Sequence, residues 1–217
     1  MNSNNIFEFF KWKDVFSLLC AVFGFFAIIV AVFGNFSLAV AFLVLAGIFD
    51  YADGFIARKF SAPTEYGAYI DTVADVVAFG VAPATFIFFY ALTFMEPNSI
   101  VIDPLYSVFY MTISVIVMCA GLMRLARYLC LENEKKNENK EYKSNANKYL
   151  YKSNANKYLN KSDANKHPNV YVGMPITFNA LIIPLLYILS QYLNFNLFFL
   201  TLISAYLMIS TIEFKKI

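Results

Sequence analysis

The chain has 217 residues, 59% of them hydrophobic and 18% aromatic, and its mean hydropathy is +0.57. That apolar excess excludes an ordinary soluble domain, and a formal net charge of +2 is too small to mark a nucleic-acid binder. Cys20, Cys119 and Cys130 lie in or at the ends of apolar runs without paired spacing, which supports neither a disulfide framework nor a zinc site.

Apolar runs long enough to cross a bilayer follow one another along the chain, and the expected fold is an all-α polytopic membrane protein of six transmembrane helices in one domain, residues 1–217. The first span, about 15–34, follows Lys11, Trp12 and Lys13, an interfacial anchor, and reads as a retained helix. The second, about 36–57, is apolar until Asp50, Asp53 and Arg58 near its end. A short connection containing Pro63 as a helix breaker leads to the third span, about 67–94, which opens with Gly67, Asp71 and Asp75 and carries Pro83. The fourth, about 104–130, ends in Arg124 and Arg127. Residues 131–168 are polar, and Tyr142–Leu150 recurs identically at Tyr151–Leu159; a tandem repeat of this polarity buries little surface, so a cytoplasmic loop is expected, with room in its regularly spaced Tyr and Leu for a short interfacial helix. The lone His167 ends that segment and receives no role. Spans at about 173–193, with Pro175 and Pro184, and 195–212 complete the chain.

Sorting by charge gives the expected orientation. All 17 Lys and Arg residues fall before span one, between spans two and three, from the end of span four to span five, or after span six, while the alternate connections hold none. Basic residues stay on the cytoplasmic side. Both termini and the acidic cluster are therefore expected there, in a cell-membrane protein whose basic loops face anionic lipid headgroups.

The acidic cluster sets the chemistry. Asp50 and Asp53 are at i and i+3 on one helix, and Gly67, Asp71 and Asp75 are at i, i+4 and i+8 on the next, so two acidic stripes can face each other across the hairpin. Four carboxylates in the flanks of apolar spans repel one another unless cations neutralise them, and hard oxygen ligands favour Mg²⁺ or Mn²⁺. Two such ions bridged by a carboxylate form the arrangement suited to phosphoryl transfer. Gly54 and Ala57 leave a shallow strip beside the acids, and the Arg58 guanidinium suits a diphosphate. An ion-coupled transporter also uses intramembrane carboxylates, but it needs acids reachable from both sides, and the outward halves of these spans offer almost none.

The combined pattern Asp50-x2-Asp53-Gly54-x2-Ala57-Arg58-x8-Gly67-x3-Asp71-x3-Asp75 resembles, at every defined position, the signature of the CDP-alcohol phosphatidyltransferases. The resemblance implies displacement of CMP from a CDP-lipid by an alcohol, two divalent cations (Mg²⁺ or Mn²⁺) and a homodimer. It implies Asp50, Asp53, Asp71 and Asp75 as metal ligands, with Asp75 also the catalytic base, and Gly54, Ala57, Arg58, Thr64 and Gly67 on the CDP-lipid. No serine or cysteine in the sequence pattern pairs with a basic partner, so direct displacement without a covalent intermediate is expected.

Beyond the signature, Asp75-Val-Val-Ala-Phe-Gly-Val-Ala-Pro-Ala84 and Gly121-Leu-Met-Arg-Leu-Ala-Arg-Tyr128 resemble the phosphatidylserine synthase branch. That implies L-serine as acceptor, with Arg124 and Arg127, at i and i+3, holding its carboxylate. Inositol phosphate and glycerol phosphate are the alternative acceptors. One departure stands at the N-terminus, where Lys13-Asp14-Val15-Phe16 and Ser17 replace the family's Pro-Asn dipeptide and Thr.

Overall fold

A computed structural model describes residues 12–60, 65–95, 104–152, 170–172, 174–210 and 213–215, with side chains over 14–56, 66–94, 104–131 and 174–210. Among the described residues seven α-helices follow in chain order: α1 (Trp12–Val32), α2 (Phe36–Phe60), α3 (Glu65–Asp75), α4 (Ala82–Met95), α5 (Pro104–Lys152), α6 (Asn179–Leu193) and α7 (Thr201–Ile209). A π-helical turn, Val76–Val81, joins α3 to α4, and 3-10 turns precede α6 and α7. Among the described residues the expected all-α class holds except for one two-stranded antiparallel ribbon, in which Val170–Val172 (β1) pairs with Glu213–Lys215 (β2). Valine and tyrosine suit that extended pairing.

Among the described residues, five helical stretches are long and apolar enough to cross a membrane: Asp14–Val32, Phe36–Ile56, Tyr66–Phe94, Pro104–Leu131 and Ile176–Leu193. The expected sixth span is shorter in the structure. Its helical part, Phe198–Ile209, rises roughly 18 Å at ~1.5 Å per residue, against a hydrocarbon core of about 30 Å. A second difference lies in the polar segment, where α5 runs on to Lys152 through the first copy of the repeat. Its backbone stays helical there because no Gly or Pro stands between Gly121 and Pro168, and Lys and Glu are good helix formers. The remainder, 153–168, lies outside the described residues.

Local signals place the turns. Gly34 adopts φ +79° between α1 and α2, a conformation that costs glycine nothing, and Asn35 Oδ1 accepts from the Leu38 N–H at 3.3 Å to cap α2. Asn194 closes α6 in the left-handed conformation at φ 49°.

The stretch from α3 to α4 is the most buried of the five spans. Its π turn has a readable cause: Pro83 has no N–H to give the carbonyl of Phe79 four residues earlier, and the Asn179 Nδ2 of α6 donates to that carbonyl instead at 2.9 Å. Ala82 N–H reaches back five residues, to the Val77 carbonyl. α1 lies against this turn at close range. A Cβ on Gly24 would sit 2.6 Å from Ala78 Cα, so only glycine lets the two backbones approach. Cys20, Ala46, Ala78, Phe79, Ile176 and Ala180 form a small buried cluster around this contact.

A larger core fills the end of the bundle away from the acidic residues. Phe36 packs edge-on to Phe86 at 5.6 Å and to Tyr90 at 5.2 Å, and Phe86 and Tyr90 contact Phe198 at 5.6 and 5.0 Å. Tyr90 keeps its hydroxyl satisfied by donating to Ser190 Oγ at 3.1 Å. Rigid aromatic packing at that end anchors the helices whose other ends carry the acids.

Candidate metal and phosphate site

The last turns of α2 and the body of α3 bring the acids together. One carboxylate oxygen from each of Asp50, Asp53 and Asp71 lies within 4.8 Å of the other two. Asp53 is buried, while Asp50 and Asp71 are half-buried. Asp75, one turn beyond Asp71, reaches the same group through side-chain contact with Asp50. Its Oδ1 is buried without a hydrogen-bond partner. The i, i+3 and i, i+4 spacings read from sequence thus converge across the hairpin.

Whether such a group fits divalent cations is a question of donors and of compensation. Every donor here is a carboxylate oxygen, the ligand type that Mg²⁺ and Mn²⁺ prefer. An inward, unpartnered carboxylate oxygen among three other acids is costly without a nearby cation. Donor set and burial therefore fit the ions.

The remaining expected residues fall in several places. Gly54 lies on α2 beside Asp53, and a Cβ there would meet nothing within 4 Å, so open space adjoins the acids. Gly67 is buried at the start of α3. Ala57 and Arg58 lie on the α2 backbone, but their side chains are outside the described residues, as is Thr64 altogether. An apolar groove between α1 and α3 is lined by Leu18, Ala21, Tyr69, Ile70, Val73 and Ala74, its α3 residues neighbouring Asp71 and Asp75 in sequence.

Arg124 and Arg127 share α5 but have different surroundings. Arg124 is buried, with its guanidinium carbon 5.8 Å from the centroid of the Tyr128 ring. Arg127 donates from Nη2 to the Ile209 carbonyl at 2.8 Å and from Nη1 to the Ser210 carbonyl at 3.3 Å. A cation on the last carbonyls of a helix is well placed against its dipole, so Arg127 ties α5 to the end of α7. The sequence reading did not include that tie.

Two residues of α1 were also missed. The Ser17 hydroxyl donates to Asp53 Oδ2 at 2.6 Å, and Asp14, one turn earlier, is fully buried. A signal was present in the spacing, since Asp14, Ser17, Cys20 and Gly24 form one polar and small-residue stripe along an otherwise bulky helix. The sequence expectation concerned a serine or cysteine beside a basic partner; Ser17 instead donates to a carboxylate.

Similarity to known proteins agrees with this geometry. Over 219 aligned residues the chain is 28% identical to archaetidylserine synthase of Methanothermobacter thermautotrophicus, covering 100% of this chain and 75% of that protein. It is 37% identical over 87 residues to the CDP-diacylglycerol–serine O-phosphatidyltransferase of Methanocaldococcus jannaschii, covering 40% of this chain and 36% of the relative. The enzyme of that name from Saccharomyces cerevisiae is 37% identical over 87 residues, covering 40% of this chain and 27% of the relative. Residues 14–212, from the buried aspartate of α1 to just beyond α7, match the CDP-alcohol phosphatidyltransferase family, and the chain belongs to it.

Proposed function

We propose that this protein transfers a phosphatidyl-type group from a CDP-lipid, CDP-diacylglycerol or CDP-archaeol, to the hydroxyl of L-serine, releasing CMP. The convergence of Asp50, Asp53 and Asp71 on one focus, with Asp75 in contact, is the observation that carries this reading. The serine-specific names of the relatives, above all the archaetidylserine synthase aligned along the whole chain, support the acceptor.

Asp50, Asp53, Asp71 and Asp75 would hold two divalent ions, which, when bound, neutralise negative charge on the diphosphate. Gly54 leaves room for the CDP moiety to approach the α2 backbone, and Ala57, Arg58, Thr64 and Gly67 complete its binding by family resemblance. The lipid part of the donor lies along the apolar groove of α1 and α3, whose residues Ile70 and Ala74 adjoin Asp71 and Asp75 in sequence. Arg124 receives the serine carboxylate, with Arg127 beside it holding the end of α7. Asp75 accepts the proton of the serine hydroxyl as the new oxygen–phosphorus bond forms and the bond to CMP breaks. A buried oxygen without a hydrogen-bond donor suits that task. Direct displacement needs no covalent enzyme intermediate.

The charge sorting supports a six-segment topology in one membrane domain, with the acids and both ends on the cytoplasmic side, and the family resemblance supports a homodimer. The decisive assay uses purified protein, a CDP-lipid, labelled serine and Mg²⁺ or Mn²⁺. CMP and a serine lipid are expected in equal amounts, with both lost in EDTA. Faster turnover with inositol phosphate or glycerol phosphate would reassign the acceptor, and no CMP release from any acceptor would overturn the reading.

A further inference from the structure

The Ser17–Asp53 hydrogen bond joins residues 36 positions apart, is short at 2.6 Å, and is buried at both ends. We propose that Ser17 is a positioning residue for the divalent-cation site, locking the Asp53 carboxylate in the rotation that turns it to the other aspartates. The inference rests on the reading of those aspartates as metal ligands. A carboxylate swings freely about its Cβ–Cγ bond unless something holds one oxygen. A hydroxyl does so without adding charge, whereas Lys or Arg at this place would compete with the cation.

Two further contacts of α1 make Ser17 a rigid holder. Two turns further along, Gly24 meets Ala78 of the π turn so closely that an added Cβ would lie 2.6 Å from the Ala78 backbone. Between them, Cys20 is buried against Ala46, Ala78 and Phe79. With its middle wedged in this way, α1 neither slides nor rotates easily, and the Ser17 oxygen keeps its height over Asp53. The helix that carries none of the signature aspartates thereby sets the geometry of one of them.

The test is Mn²⁺ binding to the full-length protein in detergent, followed by loss of the free-ion electron paramagnetic resonance signal with no lipid substrate present. Ser17→Ala is expected to weaken Mn²⁺ binding by about 10–100-fold, the usual effect of losing an outer-shell partner, while Ser17→Thr, which keeps the hydroxyl, recovers most of it. In turnover the same Ala variant should need more Mn²⁺ for half-maximal rate with an unchanged KM for serine. Native-like Mn²⁺ binding by Ser17→Ala overturns the inference, and so does a well-folded Ser17→Thr that binds as weakly as Ser17→Ala. Should the Ala variant fail to fold, Ser17→Cys, close in volume and a weaker donor, takes its place with the same two outcomes. A lipid phosphate trapped on Ser17 would also overturn it, by making the hydroxyl a nucleophile. If the native protein itself binds no Mn²⁺, the metal reading fails first, an outcome distinct from native binding that Ser17→Ala leaves intact.

Discussion

Asp75 differs from its three companions in carrying a buried oxygen with no hydrogen-bond donor, and that difference predicts a different kinetic signature. Asp75→Asn keeps the shape and removes the base. It should lower kcat by about 10²–10⁴-fold, the range of general-base catalysis, with little change in KM for serine measured in the CMP-release assay. The two arginines should separate in a similar way. Arg124→Ala is expected to raise the KM for serine more than that for the CDP-lipid. Arg127→Ala removes hydrogen bonds from a charged donor to two carbonyls, so it should cost about 1–3 kcal/mol of stability, seen as a lower thermal midpoint in detergent. At this scale the sequence was informative within a helix and across the acidic hairpin, where Asp50 and Asp53 meet Asp71, and silent about contacts between more distant helices. The spacing rules put Asp50 with Asp53 and Asp71 with Asp75, but they carry no information about Ser17 on Asp53 or Arg127 on Ile209, pairs 36 and 82 residues apart.

Among the elements, α1 and the π turn determine how the acidic hairpin is held. Gly24 and Gly121 both face close neighbours, yet the neighbours differ in kind: backbone and Cβ of Ala78 for the first, the flexible end of the Ile176 side chain for the second. Gly24→Ala should therefore destabilise the protein by about 1–3 kcal/mol, as overpacking does, and Gly121→Ala by less, both read from thermal unfolding. A reversed order would mean that α1 is free to move away from the turn. The π turn itself was not legible in advance. Pro83 announced a disturbance, but its form depends on Asn179, supplied by α6 from 100 positions away. The helical extension of α5 to Lys152 has a different reason: polarity marks a segment as unable to bury surface, and a helix already started can propagate through polar residues all the same.

For the whole molecule, five of the apolar runs coincide with helices long and apolar enough to cross a membrane, while the run at 195–212 holds a shorter described helix, Phe198–Ile209. The repeated nine-residue unit has a geometric property of its own. At ~3.6 residues per turn, nine residues advance a helix by about two and a half turns, so matching positions of adjacent copies in any shared helix fall on opposite sides. Duplicating this unit therefore cannot widen a one-sided docking stripe; what it changes is reach, by about 13–14 Å per helical copy. Excising Tyr142–Leu150 should accordingly leave CMP release at its native rate, and a drop of tenfold or more would show that the copies act on the chemistry. Copy number can then drift by unequal recombination without penalty to the membrane core, which makes this stretch a natural place to insert a reporter or an affinity handle.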